Sequence, residues 1–165
     1  NHTVSGCDNT FNSNLDNIVK GLTKSFNKEF KWLNNHDNSV WQGWEQLPEK
    51  HEYLIITKSL KDVMSITEIL GLPSVALQSE TTMPKAKIMD ELNQRFNQIF
   101  VLFDNDYDAK ENWGRIAAKK LMVKFGVYMT EINEKWKSKD FSDLVKNHGP
   151  IKAKQIWDDE LCVPY

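Results

Sequence analysis

From Tyr53 onward, short apolar runs alternate with longer stretches whose apolar residues recur at helical spacing. That alternation is the pattern of βαβ units building a parallel sheet. The runs Tyr53-Leu54-Ile55-Ile56-Thr57, Ser74-Val75-Ala76-Leu77, Gln98-Ile99-Phe100-Val101-Leu102-Phe103 and Val127-Tyr128-Met129-Thr130 predict four strands. Leu60, Val63, Met64, Ile66 and Leu70 predict a helix after the first of them, stopped by Gly71 and Pro73. Pro84 is placed to open the next helix, with Ile88, Leu92 and Phe96 four apart on one face. A third helix is expected from about Lys110 to Phe125, capped by Gly126. After the last strand come two short helical segments split by Gly149-Pro150, with Ile156 and Trp157 packing the final one back.

The N-terminal third reads differently. Residues 1–16 are rich in Asn, Ser and Thr with little to bury, which predicts poor order or dependence on a partner. Residues 17–50 carry both a helical spacing (Ile18, Leu22, Phe26, Phe30) and strand-and-turn signals around Trp32, Asn34-Asn35 and Val40-Trp41; they are taken as a small subdomain containing β structure. The α/β core then spans 51–149, and 150–165 forms a C-terminal helix packing on it.

At 165 residues the chain is long enough to bury a core without staples. No apolar run approaches the ~18 residues that span a bilayer, so no membrane role is expected. The chain begins at Asn1 with no signal-peptide pattern, and a fragment of a longer protein is expected. Cys7 and Cys162 have no Cys or His neighbours at zinc spacing, which points to a reducing, cytoplasmic setting. The net charge of -2 counts against a nucleic-acid binder that neutralises phosphate with side chains alone. Bound cations would supply the positive charge that a side-chain count omits.

Chemistry concentrates at the carboxyl ends of the predicted strands, where α/β sheets bind ligands. Phe103-Asp104-Asn105-Asp106 ends the third strand. If the backbone stays extended, Asp104 and Asp106 face the same way and can share one hard cation, Mg²⁺ or Mn²⁺. The same two acids also fit a loop cap and a helix N-terminal acid. Lys58-Ser59-Leu60-Lys61-Asp62 follows the first strand, with Ser59 as a cap and Lys58 and Lys61 placed to hold phosphates or simply to face solvent. Glu80 follows the second strand, and Lys139-Asp140-Phe141-Ser142-Asp143 follows the fourth.

In this order the clusters resemble the toprim domain, shared by bacterial-type primases, topoisomerases and some nucleases, and most closely that of phage primases and primase-helicases. The similarity runs from about Leu54 to Gly149 and is strongest in Asn97 to Asp106 and in Lys139 to Gly149. It implies a Rossmann-like four-stranded parallel sheet flanked by helices, metal on Asp104 and Asp106, Asp62 as the acid after the first strand, and Asp140 in the later acidic motif. Where the family usually has Glu-Gly after its first strand, this chain has Lys58-Ser59, and Glu80 is the candidate for the displaced carboxylate. Lys58, Lys61 and Lys110 are expected to balance nucleotide phosphates. Lys31 and Trp32, in the stretch ahead of the core, are expected to hold template by charge and stacking.

The implied activity is primer synthesis by nucleotidyl transfer on single-stranded DNA from nucleoside triphosphates, with a replicative helicase in cis or in trans. A toprim nuclease uses the same carboxylates. A catalytically reduced nucleic-acid-binding module fits Lys58, and a phosphoaspartate receiver fits the strand pattern but not Asp140.

Overall fold

In the computed structural model the described residues are 40–79 and 82–162. Residues 1–39, among them Lys31 and Trp32, lie outside them, as does Glu80. Strands β1 (His51–Thr57), β2 (Ser74–Ala76), β3 (Phe96–Leu102) and β4 (Tyr128–Thr130) form one sheet in the order β2-β1-β3-β4. Every pairing is parallel; Ile56 sits opposite both Val75 and Val101, and Leu102 opposite Thr130. The helices are α1 (Leu60–Leu70), α2 (Ala86–Arg95), α3 (Trp113–Phe125), α4 (Phe141–His148) and α5 (Pro150–Ile156). The predicted α/β architecture, a parallel four-stranded sheet flanked by helices, is what the chain adopts.

Strand alternation divides the core into two layers. Leu54, Ile56, Ile99, Val101 and Phe103 face one way and pack with Met89 and Leu92 of α2 and Ala118 and Leu121 of α3. Ile55 and Leu102 face the other way, with Ile66 of α1, Leu144 of α4 and Ala153 and Ile156 of α5. Trp157 follows α5, is buried, and meets the Phe100 ring edge-on at 6.2 Å, which fastens the C-terminal segment to the sheet as its sequence suggests.

Three boundaries differ from the sequence reading. The second helix begins at Ala86, and Phe96, expected on its face, instead starts β3. Helix and strand are joined there without a loop, so Phe96 is buried by the sheet. The third helix begins at Trp113 because Asn112 caps it, accepting from the Arg115 N–H at 3.0 Å. Ahead of β1, residues 40–50 contribute a 3-10 turn, Trp44–Gln46, and a single antiparallel bridge from Gln42 to Ala76. Trp41 is buried and Trp44 packs against the same layer, so both serve the core.

Candidate active site at the carboxyl edge of the sheet

Asp104 follows β3 two residues after Leu102, on the face that α1 and α4 cover. Those two helices bring the other acids. Asp62 lies in the first turn of α1 and is 1% exposed, and Asp140 is the N-cap of α4 at 7% exposed. One carboxylate oxygen from each of Asp62, Asp104 and Asp140 falls within 4.8 Å of the others.

Each acid is fixed by local bonding. Ser59 caps α1 and also donates its hydroxyl to Asp62 Oδ2. Asp62 Oδ1 accepts from the Ser142 N–H at 3.0 Å and the Ser142 hydroxyl at 2.7 Å, which ties α1 to α4. Asp140 Oδ1 accepts from the Asp143 N–H at 2.7 Å. Asp140 therefore caps α4 with one oxygen while belonging to the acidic group. Burial pushes the Asp62 carboxyl above its ordinary range and the charge of Asp140 adds to this, while the hydrogen bonds from Ser59 and Ser142 pull the other way.

Two lysines balance the group. Lys58 Nζ, at the end of β1, forms an ion pair with Asp104 Oδ2 across the neighbouring strand end. Lys61 Nζ bonds Asp140 Oδ2 at 2.5 Å. Burial lowers the Lys61 ammonium's pKa, but the hydrogen bond and charge of Asp140, with Asp62 and Asp143, outweigh it and raise the value overall.

Asp106 lies outside this trio. The expectation that Asp104 and Asp106 face one cation required extended backbone, and β3 ends at Leu102. Asn105, 2% exposed, turns inward: its N–H donates to Lys139 O at 2.8 Å, its side-chain amide donates to Ile132 O at 2.7 Å, and its side-chain oxygen accepts from Asn112 at 2.6 Å. Asp106 is thereby carried toward α3, where Lys139 Nζ lies 3.5 Å from its Oδ1 and 3.0 Å from Asp108 Oδ1. Lys110 is exposed and has no hydrogen bond or ion pair among the described residues.

Comparison with solved structures bears on the fold. The DnaG catalytic core superposes at a TM-score of 0.57, covering 76% of this chain and 41% of that one at 14% identity. A DNA primase domain from Pseudomonas aeruginosa gives 0.56, with 76% and 39% covered at 18% identity. The fold is the toprim fold of primase catalytic domains. A structure containing primase domains of bacteriophage T7, bound to an RNA/DNA hybrid and dTTP, matches at 0.53 over 80% of this chain and 65% of that one, at 14% identity. The chain thus spans about two-fifths to two-thirds of these three structures. No family model and no curated protein matches the sequence.

Within the toprim fold the acidic trio has the donor set of a hard divalent cation: carboxylate oxygens from three elements, with Asp62 and Asp140 each having an oxygen anchored by neighbouring N–H or O–H groups. The residues present fit a hard divalent cation.

Gly114 is a site residue that motif reading passed over. It is buried in the first turn of α3, and a Cβ added there would lie 2.0 Å from the Asp104 carbonyl oxygen. The helix can approach the acidic loop only because that position has no side chain. The signal in the sequence was a glycine one turn into a helix that follows an acidic strand end.

Proposed function

We propose that this chain is the catalytic core of a phage-type DNA primase, joining nucleoside triphosphates into RNA primers on single-stranded DNA. The observation that carries the reading is the convergence of Asp62, Asp104 and Asp140, from three separate elements, at the carboxyl edge of a primase-type sheet. These three carboxylates would hold Mg²⁺ or Mn²⁺, which supplies neutralisation of phosphate charge and activation of the attacking hydroxyl.

The chain's own residues do the rest. Ser59 and Ser142 orient Asp62, and the α4 N-terminus orients Asp140. The exposed Lys110 is available to nucleotide phosphates, Lys58 and Lys61 sit on Asp104 and Asp140 from which they can exchange toward a phosphate, and Lys139 holds Asp106 beside the cleft. Lys31 and Trp32 would hold template, and Glu80 would supply the carboxylate that position 58 lacks. A replicative helicase, in cis or in trans, is the expected partner.

One observation favours a second reading, a nucleic-acid-binding module without catalysis: Lys58 occupies Asp104 Oδ2. The two readings separate in one experiment. The chain is incubated with labelled single-stranded DNA, nucleoside triphosphates and Mn²⁺ beside its Asp104→Asn variant. Extended products from the wild type alone support primer synthesis, and shortened products support a nuclease. Strand binding that ignores metal, without any product, supports the binding module and refutes synthesis.

A further inference from the structure

Between α3 and the loop ahead of α2 lies a cleft of about 300 Å³, lined by Thr82, Met83, Asp106, Trp113, Ile116 and Lys120 among others. Asp106, two residues after Asp104, belongs to its wall. Its most unusual member is Trp113. As the first residue of α3 it could have been any helix former, yet a large indole stands there 57% exposed, with Met83 also 37% exposed. Neither side chain is needed by the core layers. An exposed indole beside an apolar floor offers a rigid face on which a planar partner can stack.

The polar groups narrow that partner. Asp106 Oδ1 faces Lys139, while its Oδ2 has no hydrogen-bond partner among the described residues and can accept from an amino or imino N–H. Lys120 adds a cation at the rim. An aromatic platform, a carboxylate acceptor at the edge and a neighbouring cation match a nucleobase carrying phosphate. A void near 300 Å³ is at the small end of ligand sites and suits a single base.

We propose that this cleft is the base-binding pocket of the nucleotide substrate, with the base stacked on Trp113 and its amino edge toward Asp106. The proposal rests on the primer-synthesis reading for its role, but the pocket is testable without it. Binding of AMP and GMP to the full chain is measured by calorimetry in the presence of chelator, so that no metal bridges the phosphate. Relative to wild type, Trp113→Ala is expected to bind more weakly by about tenfold or more, and Trp113→Phe close to wild type. In primer synthesis, Trp113→Ala is expected to raise KM for nucleoside triphosphate with little change in kcat.

Absence of nucleotide binding by the wild type overturns the proposal, and so does binding that Trp113→Ala leaves unchanged. The two readings fail separately. Trp113-dependent binding in a chain that makes no primer removes the synthesis reading and keeps the pocket. Primer synthesis with an unaltered KM in Trp113→Ala does the reverse.

Discussion

Replacing Gly114 by alanine tests whether the acidic loop is held where α3 puts it. A helix-propensity argument alone predicts a gain, because alanine is favoured over glycine inside a helix by about 1 kcal/mol. The structure predicts a loss. The new Cβ would lie 2.0 Å from the Asp104 carbonyl oxygen and 3.0 Å from both its carbonyl carbon and its nitrogen, whereas real contacts of this kind hardly fall below 3.0 Å. The obstacle is main chain, so no rotamer change relieves it, and α3 and the loop must separate by about 1 Å. Overpacking of this order costs roughly 1–3 kcal/mol, against which the propensity gain leaves a net loss of up to about 2. Activity should suffer more than stability, since displacing a reacting group by about 1 Å can cost on the order of a hundredfold. Thermal unfolding followed by circular dichroism, with primer synthesis assayed on the folded variant, reads both effects. An Asp104 that retains full activity in a Gly114→Ala protein of equal or higher melting temperature would refute the reasoning.

Two further outcomes follow from the same loop and its neighbours. Asn105→Ala strips Ile132 O of its donor and Asn112 of its acceptor inside the protein, which should lower stability by about 1–3 kcal/mol, read by urea unfolding; an unchanged midpoint would mean that the bonds are replaced. Asp62 is held above its ordinary 3.8 in the folded chain, so the native state keeps its proton longer than the unfolded one. Its contribution to stability must therefore fall as pH rises from that value through the raised one and stay level above it. The melting temperature of wild type relative to Asp62→Asn should drop across that window, and a pH-independent difference would show that burial does not shift the group.

The strands were legible because a parallel sheet covered on both faces makes nearly continuous apolar runs of them. The caps were legible too: Ser59, Gly71 and Gly126 each stand where their backbone conformation or side-chain oxygen is needed. Phe96 was not, because a buried aromatic four residues after Leu92 satisfies helix periodicity and strand burial equally, and only the loop-free junction separates them. The partition of Asp104 from Asp106 was likewise hidden. It depends on Asn105 bonding to Ile132 and Lys139, positions distant in sequence whose approach is a property of the assembled sheet. The Lys58–Asp104 and Lys61–Asp140 pairs are of the same kind, since reading lysines as phosphate ligands from sequence could not reveal that each meets a carboxylate first.

Those two pairs bear on what the acidic group can hold. Asp62, Asp104 and Asp140 carry three negative charges when ionised, and Lys58 and Lys61 return two, so the group is balanced to a single negative charge. A glutamate at position 58, as the toprim resemblance leads one to expect, would have set four negative charges against one. The substitution thus removes most of the field that would draw in a second divalent cation, while the hard oxygen ligands that suit a first one remain. Burial of Asp62 works in the same direction, because a carboxyl that resists ionisation is stabilised by one cation but offers little to repay a second. If the trio holds metal as proposed, Lys58 does not cancel that role. It makes the occupancy of Asp104 a contest between an ammonium tethered to β1 and a cation from solution, and a phosphate that draws Lys58 away would decide that contest in favour of the metal.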